Sequence, residues 1–250
     1  MKNFLYNIIL QNKAKGKKQL AVLIDPDKQQ DLDKIPALVE KIADHGGDFI
    51  FVGGSLMISA GFEEKLIAIK SYSKIPIIIF PGHPLQVNKN ANALLLLSLI
   101  SGRNPELLIG QHVVAAPLIK ASGLEVLPTG YILVESGKST TASYISGSMP
   151  IPADKPEITA CTALAGEQLG LKLIYMDGGS GAENPISSIM ISKTKEIISI
   201  PIIVGGGIKT PEQAHKACEA GADIIVIGTA FENNMAGLKP ITDKVKEFRD

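Results

Sequence analysis

Apolar runs of strand length recur along this chain, each followed by polar or glycine-rich residues and then by text with helical spacing. Residues 20–24, 48–52, 76–80, 94–99, 130–134, 171–176, 201–204 and 223–227 are rich in leucine and β-branched side chains and read as eight strands. Between them the spacing predicts helices over 31–45, 63–72, 105–121, 159–169, most of 185–199, and 211–220. In the first of these Leu32, Ile35, Leu38, Val39 and Ile42 fall on one face before Gly46 and Gly47 stop it, and Thr210 with Pro211 opens the last. A helix over 3–12 precedes the series and one over 241–248 closes it. The pattern weakens after the third strand, where PGHPLQVNKNAN is too rich in proline and asparagine for a crossover helix and predicts a loop or a single turn. Residues 136–156, dense in Ser, Thr, Gly and Pro, predict a long loop of the kind that serves as a lid. Eight strand–helix units describe an α/β protein, a (β/α)₈ TIM barrel with the helix after strand three reduced or replaced by a loop. An open doubly wound sheet is the other arrangement, but no dinucleotide fingerprint accompanies the strands.

Composition narrows the picture further. The 250 residues suit one barrel domain, 1–250, with a large core, since 45% are hydrophobic and 20% charged. Twenty-five basic residues balance 25 acidic ones, so there is no electrostatic footprint for nucleic acid and any anion site must be local. Cys161 and Cys218 lack metal-ligand spacing and read as buried free thiols, in keeping with a reducing cytoplasm. The N-terminal lysines follow the short apolar segment, the reverse of a signal peptide, and no run approaches the ~18 apolar residues of a membrane span. A peripheral membrane contact or an apolar groove stays compatible with this.

The candidate chemistry sits where the strands end, the active face of such a barrel. Gly205, Gly206, Gly207 and Ile208 after strand seven, and Gly228 and Thr229 after strand eight, occupy positions where barrels bind phosphate with backbone amides. Strand six runs into Tyr175, Met176 and Asp177 and then the turn Gly178, Gly179, Ser180, Gly181. Tyr175 and Asp177 lie two apart on a strand and so share a face; with Ser180 they suit a polyol, Asp177 serving as general base. The plainer reading is a tyrosine filling a barrel layer and an acid capping a glycine turn. Asp25, fixed by Pro26 at the end of strand one, and Ser55 after strand two offer hard oxygen ligands for Mg²⁺; equally, Asp25 and Asp27 would cap the helix that follows and Ser55 the next one. Tyr131 and Glu135 on strand five share a face that reaches the mouth or merely packs. His83 lies in the loop after strand three, and the remaining histidines read as surface or structural.

Taken together, Ile24 to Lys28 (IDPDK), Gly53, Gly54 and Ser55, the run Tyr175 to Ala182 (YMDGGSGA), Val204 to Ile208 (VGGGI), and Ile227, Gly228 and Thr229 resemble the geranylgeranylglyceryl phosphate synthase family, which includes bacterial heptaprenyl relatives. The resemblance runs in order from residue 21 to about 233. It implies a Mg²⁺-dependent prenyltransferase that joins sn-glycerol 1-phosphate to a polyprenyl diphosphate, with geranylgeranyl diphosphate as the expected donor, forming an ether-lipid precursor and releasing diphosphate. Asp25 and Ser55 would then be the Mg²⁺ ligands. Tyr175 through Gly181, Gly206, Gly207, Gly228 and Thr229 would hold the glycerol phosphate, and Tyr175 and Asp177 would act in catalysis. Many members carry glutamate where this chain has Asp177, a carboxylate one methylene shorter. The resemblance also implies a homo-oligomer.

Two other functions compete. A phosphosugar isomerase or aldolase shares the phosphate loops, although Lys28 lies outside strand one and Lys172 opens strand six at the wrong end for a Schiff base. A barrel that has lost activity and serves as a scaffold would not be expected to keep the carboxylates at Asp25 and Asp177.

Overall fold

The computed structural model describes residues 4–28, 31–54, 56, 61–83, 86–228 and 237–248. Eight parallel strands close on themselves in sequence order. They are β1 (Gln19–Ile24), β2 (Phe49–Gly53), β3 (Ile77–Phe80), β4 (Ala93–Leu99), β5 (Glu125–Leu133), β6 (Leu173–Asp177), β7 (Ile202–Gly205) and β8 (Ile224–Ile227). Gln19 pairs with Ile224 to complete the ring. The helices are α1 (Phe4–Ala14), α2 (Ile35–Asp44), α3 (Phe62–Tyr72), α4 (Gln111–Ser122), α5 (Thr141–Ser146), α6 (Pro156–Gln168), α7 (Ser188–Ile197), α8 (Pro211–Glu219) and α9 (Leu238–Glu247). The predicted barrel is therefore present.

Alternation along each strand divides the core into two layers. Ala21, Phe51, Leu95, Leu127, Tyr175 and Ile203 fill the barrel interior, while Val22, Val52, Ile174, Met176 and Val204 face the helices. The interior is sealed from below by α1, whose Leu5 and Ile9 join the inner layer. Glu125 at the base of β5 fixes this plug: its two carboxylate oxygens accept the Leu5 and Tyr6 amides at 2.8 Å each, satisfying two donors at the start of α1.

Among the described residues no α-helix follows β3, as the proline and asparagine content of that segment requires. The segment is folded locally instead. Gln86 accepts the Gly82 amide at 2.7 Å, and Asn92 accepts the Ile77 amide at 2.9 Å.

Three expectations need correction. Strand five starts at Glu125, earlier than predicted, because Pro128 and Gly130 do not break it. The Pro128 carbonyl still accepts the Lys172 amide at 2.8 Å, and the missing side chain of Gly130 is the space taken by Ile100 and Ile174. The region 136–156 is not a plain loop, since it contains α5, capped reciprocally by Thr140 and Ser143. Finally, Cys218 is buried as expected but Cys161 is exposed, lying on the outer side of α6 opposite the buried Ala160 and Ala163.

Candidate active site

A cavity of about 570 Å³ opens at the C-terminal ends of the strands. Asp25, Tyr175, Asp177, Ser180, Gly206 and Gly228 line it, together with Gly179, Gly181 and Gly207, so residues from four strand ends meet around one space. Register explains the convergence, since Leu133 stands beside Asp177 and Asp177 beside Gly205.

Asp177 is the best-defined group. It is 6% exposed; one carboxylate oxygen accepts the Tyr131 hydroxyl at 2.5 Å and the other accepts the Gly179 amide at 2.8 Å. Burial pushes its pKa up, and these two bonds pull it partly back. Burial, reinforced by the Asp177 charge, pushes the hydroxyls of Tyr131 and Tyr175 well above their usual value, so both remain protonated donors. Of the strand-five pair, Tyr131 is the one in contact with Asp177, and it lines the adjoining apolar cavity. Glu135 is exposed beyond the end of β5 and lines a separate cavity with Asn184 and Pro185.

The glycine turns are laced together. The Gly178 amide donates to the Gly205 carbonyl at 3.1 Å, and with Gly179 bound to Asp177 these two amides serve the turn itself. Gly206 and Gly207 follow at φ 80° and 75°, a left-handed pair that only glycine adopts without strain. A Cβ on Gly206 would fall 2.7 Å from the Gly178 nitrogen and 2.8 Å from the Asp177 carboxylate. Met176 does not line the cavity; its side chain is buried in the layer against the helices.

At the end of β1 the Asp25 carboxylate accepts the Asp27 amide at 3.1 Å, with the Lys28 ammonium 3.6 Å away. The cap of the following helical turn is Asp31, which accepts the Asp33 amide at 3.1 Å. This removes the capping role considered for Asp25 and Asp27, and both line the cavity. Among the described residues no group of three or more His, Cys, Asp or Glu could hold a metal. A carboxylate pair lining a cavity nonetheless fits Mg²⁺, which takes one or two carboxylates and completes its shell with water and substrate phosphate oxygens. Ser55 and Thr229 lie outside the described residues.

A second cavity, about 250 Å³ and largely apolar, adjoins the first and shares Gly54 and Phe80 with it. It runs from Phe80 and Tyr131 between the outer face of β4 (Leu94, Leu96) and α4 (Ala115, Ile119), where the missing helix would otherwise pack. Phe80, Tyr131 and Tyr175 form a ring cluster at the junction, with centroids 5.4–5.9 Å apart. α5 borders both spaces, Thr141 lining the first and Ala142 and Ile145 the apolar one. Phe80 and α5 escaped the sequence reading; the only signal for Phe80 was its place at a strand end before a proline.

A family model described as the PcrB family matches residues 13–248. The chain belongs to the PcrB family. The geranylgeranylglyceryl phosphate synthase of Spirosoma linguale is 52% identical over 241 residues, 96% of either chain. That of Chitinophaga pinensis is 53% identical over 245 residues, 98% of this chain and 97% of its own. A crystal structure of (S)-3-O-geranylgeranylglyceryl phosphate synthase from Thermoplasma acidophilum, in complex with substrate sn-glycerol-1-phosphate, matches with a TM-score of 0.90 at 32% identity over 97% of this chain and 98% of that one. Membership places this PcrB-family chain among prenyltransferase enzymes, as the five motifs implied. No helix among its described residues is long and apolar enough to cross a membrane.

Proposed function

We propose that the chain transfers a polyprenyl group, geranylgeranyl in the first instance, from its diphosphate to the 3-hydroxyl of sn-glycerol 1-phosphate. The observation that carries this reading is the junction at Phe80 of a cavity lined by carboxylates and glycine turns with one lined by leucines and other apolar side chains. A small phosphosugar needs only the first; an isoprenoid needs both.

The glycerol phosphate would lie under the β6, β7 and β8 turns, its phosphate against the backbone at Ser180, Gly181, Gly206, Gly207 and Gly228. Tyr175 would orient the polyol. Asp177, its basicity raised by burial and its orientation set by Tyr131, would accept the proton of the attacking hydroxyl. Asp25, with Ser55 and with Asp27 beside it, would hold Mg²⁺, whose chemistry here is neutralising the departing diphosphate. The prenyl tail would occupy the apolar cavity, drawn there by burial, and Phe80, Tyr131 and Tyr175 would place the reacting carbon beside the glycerol. Exposed Ile109, Val113, Val114 and Leu118 around α4 support the expected self-association.

Calorimetry on the purified chain separates this reading from an isomerase. sn-Glycerol 1-phosphate should bind without metal and a prenyl diphosphate only with Mg²⁺. Metal-independent binding of phosphosugars, with no affinity for the prenyl diphosphate, would reverse the assignment.

A further inference from the structure

Lys65 lies on α3 and is 7% exposed, an unusual place for an ammonium group. Its Nζ donates to the Pro26 carbonyl at 2.6 Å across 39 residues of sequence. Pro26 separates Asp25 from Asp27, and the turn it belongs to is closed by the Asp27 amide on the Asp25 carboxylate and by the Lys28 amide on the Asp25 carbonyl, each at 3.1 Å. A methionine would fill the same volume without desolvating a charge, so packing alone gives no reason for lysine here. Among the described residues, the ammonium adds a charge-assisted bond to the peptide between two carboxylates that line the cavity.

We infer that Lys65 is a positioning residue for the diphosphate side of the site: by clamping the Pro26 carbonyl it sets the direction in which Asp25 and Asp27 present their carboxylates. The inference rests on the prenyl-transfer reading given above. It divides the mouth into two halves, one on β1 governed from α3 and one on β6, β7 and β8 that holds the glycerol phosphate independently.

The test compares Lys65→Met and Lys65→Arg with the unaltered chain in three binding measurements: Mn²⁺ by electron paramagnetic resonance, inorganic diphosphate with Mg²⁺ by calorimetry, and sn-glycerol 1-phosphate by calorimetry. K65M should weaken the first two by about tenfold or more, the range expected when the support of a ligating carboxylate is lost, and leave the third unchanged. K65R keeps a cationic donor and should restore most of the loss. Should K65M not fold, Lys65→Gln, which is polar but too short for the carbonyl, carries the same expectation. Unchanged metal and diphosphate binding in K65M, or an equal loss of glycerol phosphate binding, overturns the inference. If the unaltered chain itself shows no Mg²⁺-dependent diphosphate binding, the prenyl-transfer reading falls, and the role of Lys65 with it.

Discussion

Asp177 carries the account at the residue scale, because its environment makes it a stronger base than a solvated carboxylate while keeping it fixed. The sign of the pH dependence follows. A base must be ionised, so in the role proposed for Asp177 kcat/KM should fall as pH drops through its raised pKa. The Tyr131 bond lowers that pKa, so Tyr131→Phe should move the acidic limb of the profile to higher pH; the substrate phosphate titrates alike in both proteins and cancels. An unmoved limb would mean that Tyr131 does not tune the base. At Gly206 an added side chain would collide with the Gly178 amide and the Asp177 carboxylate. Gly206→Val should therefore cost about 1–3 kcal/mol of stability in addition to abolishing glycerol phosphate binding, and a melting curve identical to wild type would contradict that geometry. Tyr175 and Asp177 were legible from their spacing of two on a strand. The Tyr131 bond was not, since its partners are 46 residues apart and only barrel register brings them together.

At the scale of elements, the absent helix after β3 matters most. Its sequence announced the absence plainly, and the structure turns the gap into a lined apolar space beside α4. α5 was hidden by its composition, because serine, threonine and glycine read as loop while Thr140 and Ser143 supply a capping box that sustains a short helix. The extent of β5 was hidden for a related reason: proline and glycine are strand breakers on average, and only the neighbouring Ile100 and Ile174 explain Gly130. If the apolar space holds the prenyl tail, filling it from α4 should shorten the tail. Ala115→Phe is expected to reduce transfer of a twenty-carbon donor about tenfold relative to a fifteen-carbon one, with glycerol phosphate affinity unchanged. Equal loss with both donors would place the tail elsewhere.

The whole molecule is a closed ring in which chemistry is confined to one face. α1, Glu125 and the inner layer seal the base, and strand ends distant in sequence converge at the mouth. Equal numbers of acidic and basic residues leave no net charge to attract anions, so recognition of the two proposed phosphorylated substrates would rest on local amides, the proposed metal at Asp25 and nearby lysines. Ring closure was legible in the count and spacing of apolar runs; the two-cavity mouth was not, because it depends on side chains from β3, β4, α4 and α5 meeting in space. Prenyl transfer to glycerol phosphate can be tested by incubating the purified chain with radiolabelled sn-glycerol 1-phosphate, geranylgeranyl diphosphate and Mg²⁺ and extracting with organic solvent. Label should enter the organic phase and disappear from it when a chelator is added. No extractable label with this donor or with shorter and longer prenyl diphosphates would contradict the account.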